Sequence, residues 1–308
     1  MAARRPLVPV LVGATAVGKT AVAMELRHHW PITVISADSR QVYRRLDIGT
    51  AKPTPEERRL VRHIGIDLID PGERYSAGRY ASDAASWLSD MPETEQPAIV
   101  GGTGFYVRAL ADGLFREPPL DSQRRQRIRD WSRQRKGLGR WAARLDPAFT
   151  GGGQQRAARV IEVAFLTGRP LSWWQRTAKS QGVMRPWYVL LAAPRPVLYR
   201  RIEQRTHSML ERGLVEEVEA VLGSGVEPDA PGLDAVGYRE VVQHLAGDLS
   251  RKDLAQKIAS STRRYAKRQD TWFRHQLRAA DTITLNSTLA PADLARQIVD
   301  QWNQRKSS

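Results

Sequence analysis

A glycine-rich segment near the start of the chain constrains its fold more than any other feature. It matches the pattern G-x-x-x-x-G-K-[S/T], follows an apolar run over 7–11 and opens an apolar-periodic stretch that reaches Trp30. This context predicts a turn between a strand and a helix, where several backbone N–H groups face one anion at a helix N-terminus. Lys19 adds a positive charge, and the Thr20 hydroxyl can hold Mg²⁺. The segment therefore predicts a polyphosphate site. The predicted phosphate-binding residues are Gly13, Ala14, Thr15, Ala16, Val17, Gly18, Lys19 and Thr20.

Short apolar runs alternate with stretches of helical periodicity on both sides of a central basic segment. This alternation is typical of an α/β fold, in which helices cover a parallel sheet. Together with the glycine-rich segment, it predicts a P-loop NTPase-like parallel sheet flanked by helices. The predicted strands are 7–12, 33–36, 98–100 and 187–192, and the predicted helices are 19–30, 81–91, 194–207 and 215–222.

Two polar residues follow predicted strands, where parallel sheets bind their ligands. Asp38 comes directly after the apolar run 32–37, and Thr103 lies in a Gly-Gly-Thr-Gly segment after 98–100. Alone, Asp38 is as typical of a turn or a helix N-cap as of a functional site, and Thr103 is more typical of a turn. Beside a bound polyphosphate, Asp38 is a candidate general base or outer-shell metal partner. The stretch 64–70 is short, interrupted and closed by Pro71, so it does not support a Walker-B strand and argues against an ATPase.

The charge of the chain indicates a polyanionic partner. It has 48 Lys and Arg against 33 Asp and Glu, a net charge of +15, which favours nucleic acid. Residues 114–186 hold sixteen of these basic residues but five acids, and their periodicity is mostly helical over 122–136, 138–145 and 154–167. We therefore predict an inserted helical domain at 114–186 within a core formed by 1–113 and 187–308. The alternative is an ordinary solvated helix surface.

A second basic run, over 263–278, lies on a predicted long helix that begins at Arg251. Its aromatic residues Tyr265, Trp272 and Phe273 are spaced to pack inward, so we expect them to belong to the core.

Several classes of protein are excluded or disfavoured by composition. The chain has no cysteine, which excludes disulfides, thiolate zinc sites and cysteine nucleophiles, and its six histidines show no metal-ligand spacing. No apolar run approaches the about 20 residues that span a bilayer, and residues 1–6 lack the apolar core of a signal peptide. We therefore expect a soluble, cytoplasmic protein.

Several ordered blocks of this sequence resemble the tRNA dimethylallyltransferases, P-loop isopentenyltransferases that modify tRNA beside the anticodon. Most blocks are weak singly, but their order along nearly the whole chain is specific. The resembling blocks are 13–20, 35–43, 47–53, 100–106, 155–163, 235–240 and 264–274.

The resemblance implies transfer of a dimethylallyl group from dimethylallyl diphosphate to N6 of the adenosine 3′ to the anticodon, position 37, with release of diphosphate. The P-loop and Arg205 would hold the diphosphate, with Thr20 on Mg²⁺. Asp38 would take the proton from the N6 amine, and Thr103 would hydrogen-bond the bridging oxygen of the leaving group.

The resemblance also implies which residues contact tRNA, and we expect one chain to act as a monomer whose basic insertion grips the anticodon stem-loop. One departure from the family is a shorter loop over 148–153 before the helix that carries Arg156. The implied tRNA-binding residues are Asp38, Ser39, Arg40, Gln41, Thr103, Arg125, Gln155, Arg156, Arg159, Gly237, Tyr238 and Arg239.

Two other classes remain as alternatives. A P-loop small-molecule kinase would use the same phosphate site, with Asp38 as base, but does not need so basic an insertion. A non-catalytic RNA-binding protein would account for the charge but leave Lys19, Asp38 and Thr103 without a role.

Overall fold

The structure, a computed structural model, describes residues 5–115, 121–178 and 180–307. The chain divides into two compact units: residues 112–182 form an insertion unit, and the segments before and after it form a sheet unit. Three charged residues counted for the basic insertion, Arg116, Glu117 and Lys179, lie outside the described residues.

The insertion unit ends earlier than the sequence predicts. The backbone N–H of Val183 donates to Leu110 O at 2.8 Å, and that of Arg185 donates to Pro6 O at 2.8 Å. Residues 183–186 are therefore part of the sheet unit, and the predicted boundary after 186 shifts to 182. The sequence missed this because Arg185 and Pro186 interrupt the apolar run of the strand to which they belong.

The sheet unit is built on a six-stranded sheet in the order β3-β2-β4-β1-β5-β6, with every neighbouring pair parallel. This confirms the predicted fold class, a parallel α/β sheet flanked by helices. The two edge strands, β3 and β6, were not predicted because one has three residues and the other is half-exposed. The strands are β1 Leu7–Gly13, β2 Ile32–Ser36, β3 Arg62–Ile64, β4 Gln96–Gly101, β5 Arg185–Ala192 and β6 Thr282–Asn286.

Several helix starts have a local chemical cause, a side-chain cap on the first turn. Helix α3 begins earlier than predicted because Ser76 Oγ accepts a hydrogen bond from Arg79 N at 3.1 Å, an N-cap. The helices are α1 Lys19–Leu26, α2 Pro55–Leu60, α3 Ala77–Ser89, α4 Gly104–Asp112, α5 Ser122–Arg133, α6 Leu138–Leu145, α7 Gln154–Thr167, α8 Leu171–Thr177, α9 Arg195–Glu211, α10 Leu214–Gly223, α11 Tyr238–Leu245, α12 Arg251–Gln276 and α13 Pro291–Ser307.

Hydrophobic cores in the described part of the sheet unit include one beside the P-loop and one beside the loop after β2. One lies around β1, whose residues after Leu7 are all buried, and includes Trp187 and Trp302 with ring centroids 5.4 Å apart. The other lies around Tyr43, Val218 and Tyr238, where α10, α11 and α12 pack together. These cores include residues of the loops that follow β1 and β2, among them Val17 and Val42.

The insertion unit has its own small core, formed where α6 and α7 pack on each other. Leu138, Val160 and Ile161 are each at most 2% exposed there, and many of the arginines lie on the surface. The predicted helices over 122–136, 138–145 and 154–167 are confirmed within three residues at their ends, whereas α8 was not predicted.

Among the described residues, no helix is both long enough and apolar enough to cross a membrane.

Candidate active site

The P-loop occupies the turn between β1 and α1. Gly13 has φ +149°, and a Cβ there would lie 2.5 Å from Leu191 O, so this position requires glycine. Gly18, with φ +102°, precedes the first turn of α1. Lys19 Nζ donates to Gly13 O and to Ala14 O, both at 2.9 Å, which holds the loop in a tight curl. The turn predicted from sequence is therefore present.

One backbone donor of this loop is already engaged. The N–H of Thr15 donates to Gln269 Oε1 at 2.8 Å. The predicted diphosphate contact of Thr15 therefore cannot use its backbone N–H while this bond persists, although Thr15 still lines the cleft described next.

An open cleft of about 340 Å³ lies over the P-loop. We call it the P-loop cleft. Burial in it lowers the pKa of Lys19 to about 8, with the carboxylate of Asp38 opposing and the guanidinium of Arg205 adding to the shift. Burial also lowers the pKa of Arg205. Two cations that are poorly hydrated bind an anion strongly, because the anion replaces missing water. The residues lining this cleft include Thr15, Ala16, Gly18, Lys19, Thr20, Asp38, Gln41 and Arg205.

A second cleft, of about 210 Å³, shares part of its wall with the first. We call it the side cleft. Asp38 and Arg205 line both clefts, and so does Tyr265. Apolar side chains, among them Ile202 and Met209, line the side cleft. The P-loop cleft and a partly apolar cleft therefore meet at one carboxylate and one arginine.

Asp38 is held by its own loop just after β2. Its Oδ1 accepts a hydrogen bond from Arg40 N at 2.9 Å, so the carboxylate is fixed in orientation. Arg40 is itself tied by a 2.9 Å hydrogen bond from its guanidinium to Pro231 O. The sequence placed Asp38 at the carboxyl end of the sheet, and the structure confirms that position.

Thr103 lies next to the Asp38 loop because β2 and β4 are neighbours in the sheet. Its N–H donates to Ala37 O at 3.0 Å, and its Oγ1 accepts from Ser39 N at 2.9 Å. The same hydroxyl lies 3.3 Å from Ser39 Oγ and donates to it. The two loops expected to carry the chemistry are thus joined directly.

Gln41 connects the end of β2 to the loop over 47–52. Its Oε1 accepts from Ser36 Oγ at 2.8 Å, and its Nε2 donates to Ala51 O at 3.1 Å. The polar atoms of the Gln41 side chain therefore form hydrogen bonds within the protein, although Gln41 also lines the P-loop cleft.

Tyr238 requires a correction. It was expected to contact tRNA, but it is fully buried in the second core of the sheet unit. Its hydroxyl donates to Glu217 Oε1 at 2.6 Å, so it supports the site from within. Its neighbours do reach the side cleft: Gly237, with φ +98°, and Arg239, which pairs with Asp234 at 3.4 Å.

Sequence reasoning missed Glu217. Its Oε2 accepts hydrogen bonds from the N–H groups of Asp47 and Ile48, both at 2.8 Å. It thereby holds the loop 47–51, which contributes Gly49 and Thr50 to the side cleft. No local pattern marks Glu217, since it is one of several acids on an amphipathic helix.

Tyr265 was expected in the core, and this expectation is wrong. It lines both clefts, and burial together with the nearby Asp38 carboxylate raises its pKa to about 12. Phe273, at 1% exposure, confirms the inward prediction, and Trp272 is half-buried against Gly104.

In the insertion unit, three arginines converge on one buried carboxylate. Arg125 Nε and Arg129 Nε each lie 2.8 Å from an oxygen of Glu162, and Arg159 also pairs with it. Burial by itself would raise the pKa of Glu162, but the hydrogen bond from Arg129 and the charges of Arg159 and Arg125 hold it below its usual range. Two of the predicted tRNA-binding arginines are thus oriented together.

Gln155 and Arg156 are exposed at the start of α7. The Arg156 guanidinium lies 5.8 Å from the centre of the Phe149 ring, and its aliphatic part lies against Gly152 in the shortened loop. The short loop therefore still supports the side chain of Arg156.

The described residues contain no group of three or more histidine, aspartate or glutamate side chains suited to a metal ion. Thr20 exposes its side chain to the P-loop cleft. This suits an ion such as Mg²⁺, which takes a few protein ligands and completes its shell with phosphate oxygens and water.

A sequence profile of the IPP transferase family matches residues 41–276. The tRNA dimethylallyltransferase 1 of Syntrophotalea carbinolica is 43% identical over 281 residues, covering 88% of this chain and 88% of its own. The tRNA dimethylallyltransferase of Thermotoga maritima is 39% identical over 273 residues, covering 87% of this chain and 89% of its own.

Solved structures agree with these sequence matches. The tRNA isopentenylpyrophosphate transferase of Bacillus halodurans has a TM-score of 0.71 and 30% identity, covering 98% of this chain and 96% of that one. A eukaryotic dimethylallyltransferase acting on tRNA has a TM-score of 0.74, covering 92% of this chain and 74% of that one, and at 23% identity it supports the fold alone. With its P-loop, its parallel sheet and these matches, the chain belongs to the IPP transferase family.

Proposed function

We propose that this protein transfers a dimethylallyl group from dimethylallyl diphosphate to N6 of adenosine 37 in tRNA and releases diphosphate. The observation that carries the proposal is that Asp38 and Arg205 line both the P-loop cleft and the side cleft. A base and a diphosphate ligand at the junction of two clefts suit a reaction in which one substrate enters from each side.

The diphosphate of the donor would bind in the P-loop cleft. Lys19 and Arg205 supply positive charge there, and the N–H groups at the start of α1 supply donors. Thr20 would hold Mg²⁺, which neutralises charge on the phosphate oxygens when bound. The Thr20 hydroxyl beside the phosphate site supports this assignment.

The transferred group needs a carbon with cation character, because an adenine amine is a weak nucleophile. Negative charge then develops on the departing diphosphate, where Lys19 and Arg205 stabilise it. Thr103 would donate a hydrogen bond to the bridging oxygen. For that, its hydroxyl hydrogen must turn away from Ser39 Oγ, while the bond accepted from Ser39 N keeps the oxygen in place.

Asp38 would accept the N6 proton as the new C–N bond forms. Its hydrogen bond from Arg40 N leaves acceptor capacity on the carboxylate. The proton passes from nitrogen to a carboxylate oxygen, and the electron pair of the broken C–O bond leaves with diphosphate, so atoms and charge balance.

The insertion unit would bind the phosphates of the RNA. The side cleft would recognise the target base. The exposed Gln155 and Arg156, and the arginines oriented by Glu162, support phosphate contacts. An anticodon loop suits such a site, since its unstacked bases are extruded at low cost.

We further propose that the protein acts as a monomer. The P-loop, Asp38, Thr103 and Arg205 all belong to the sheet unit of one chain, so the reaction needs no residue from a second copy.

The test is mass spectrometry of tRNA nucleosides after incubation with dimethylallyl diphosphate and Mg²⁺. We expect N6-dimethylallyladenosine with the native chain and a loss of about a thousandfold in rate with Asp38→Asn, while tRNA affinity stays within about twofold. Asp90→Asn, at the end of α3, is the matched control and should react normally.

Two results would overturn the proposal. One is an unmodified tRNA pool with the native chain. The other is phosphoryl transfer from labelled ATP to a small acceptor, which would favour a P-loop kinase.

A further inference from the structure

Gln269 lies on α12 between the two loops that follow β1 and β4. Its side chain is 7% exposed. Its Oε1 accepts a hydrogen bond from Thr15 N at 2.8 Å, and its Nε2 donates to Gly102 O at 2.8 Å. One side-chain amide thus connects the P-loop to the residue that precedes Thr103.

The chemistry of the two partners requires a side chain that both accepts and donates. A backbone N–H needs an acceptor, and a carbonyl needs a donor, so the orientation of the Gln269 amide is fixed by its neighbours. A glutamate would place a carboxylate against Gly102 O. A methionine of similar shape would leave both backbone groups without this partner.

The same helix face contacts the glycines on both sides of Thr103. A Cβ on Gly102 would lie 2.3 Å from Gln269 Nε2, and a Cβ on Gly104 would lie 2.3 Å from the Trp272 ring. Gln269 and Trp272 are three residues apart and therefore share one face of α12. Both glycines are thus needed for close approach to the helix.

We propose that Gln269 is a positioning residue that sets the distance between the P-loop and Thr103. Resting on the function proposed above, this means that the diphosphate held by Lys19 meets the Thr103 hydroxyl in the correct geometry only while the amide connects the two loops. A displacement of about 1 Å between a bound group and its catalytic partner costs on the order of a hundredfold in rate.

The experiment compares Gln269→Glu with Gln256→Glu, which makes the same chemical change at an exposed site of α12. We expect Q269E to lower kcat about thirtyfold at saturating substrates, with the KM for tRNA within about twofold. Q256E should match the native enzyme. Thermal unfolding and the stoichiometry of tRNA binding establish the folded fraction, and Gln269→Met serves if Q269E does not fold.

A double-mutant cycle with Thr103→Ala separates positioning from a general loss of structure. If Gln269 acts through Thr103, its replacement changes kcat little once the Thr103 hydroxyl is absent, so Q269E/T103A should be about as slow as T103A. The proposal would be overturned if the kcat losses of the two single variants multiplied in the double variant. It would also be overturned if Q269E had the kcat of the native enzyme.

Binding of inorganic pyrophosphate by calorimetry provides a readout that does not need prenyl transfer. We expect Gln269→Met, which adds no charge beside the P-loop, to weaken it about tenfold relative to the native chain, because Thr15 N loses the acceptor that fixes the loop. Equal affinities would contradict the connection between Gln269 and the P-loop. Absence of tRNA product with the native chain would instead overturn the function proposed above.

Discussion

Glu162 illustrates how a single buried charge can organise a basic surface. It is 5% exposed and stays ionised because Arg125, Arg129 and Arg159 surround it. Removing the carboxylate from such a cluster leaves several cations without their partner. Glu162 therefore stabilises the insertion unit and also orients arginines that we assign to tRNA.

We expect Glu162→Gln to destabilise the insertion unit by about 3 kcal/mol at neutral pH. Because its folded pKa is lowered, the stabilisation is complete above the unfolded value of about 4.5 and is lost as the pH falls through the folded value. Hydrogen exchange of α7 amides measures the stability of the insertion unit. The difference between native and variant should shrink below about pH 4; a difference independent of pH would contradict this account. Asp130→Asn, on an exposed pair, is the control.

At the scale of elements, the loop over 47–51 depends on a helix that is remote in sequence. Glu217 on α10 accepts from the amides of Asp47 and Ile48, and also from the hydroxyl of Tyr238 on α11. Gly49 packs so closely on Tyr238 that a Cβ would lie 2.5 Å from its ring. Two helices thus shape one wall of the side cleft.

We expect Glu217→Ala to lower kcat/KM for tRNA about tenfold, because the loop 47–51 loses its main fixed acceptor. The measurement is steady-state prenyl transfer with tRNA varied at saturating donor. Glu219→Ala, two residues along the same helix and exposed, should leave kcat/KM unchanged. Equal effects of the two variants would show that the carboxylate of Glu217 does not support the site.

For some elements, the sequence pattern was sufficient to predict the structure. Strands β1, β2, β4 and β5 were predicted because each is a buried apolar run, and buried parallel strands are recognisable in this way. The edge strands β3 and β6 lack this signal, since only one neighbour pairs with each of them.

At the scale of the whole molecule, the net charge of +15 governs association with a polyanion. Every phosphate neutralised by a protein cation releases counterions, so tRNA affinity should fall steeply with salt. Two exposed arginines allow a specific phosphate contact to be distinguished from the effect of net charge. They are Arg156 on the insertion unit and Arg200 on the sheet unit.

We expect Arg156→Ala to reduce the slope of log affinity against log salt by about 1. Arg200→Ala, an equal change in net charge, should leave the slope nearly unchanged, because we assign that arginine to no phosphate contact. Fluorescence anisotropy with labelled tRNA across a salt series measures both slopes. Identical slopes for the two variants would mean that net charge alone controls binding.

Local patterns in the sequence were enough to predict several features of the fold and the site. The G-x-x-x-x-G-K-T segment specified the P-loop, alternating apolar runs specified the parallel sheet, and position after a strand singled out Asp38 and Thr103. Each follows from the chemistry of a few adjacent residues. Because the carboxyl ends of neighbouring parallel strands lie together, the sequence also predicted that these two residues belong to one site.

The packing of helices on the sheet, in contrast, determines which of the remaining polar residues line the clefts and which support the site. Tyr238 and Tyr265 were assigned to the wrong environments. Glu217 carried no local signal, and Gln269 lay in a resembling block without an implied role, although both contact a functional loop. The physical reason is that their partners are far away in sequence: Thr15 lies 254 residues from Gln269, and Asp47 lies 170 residues from Glu217. Such contacts depend on how the helices pack on the sheet, which no periodicity along the chain records.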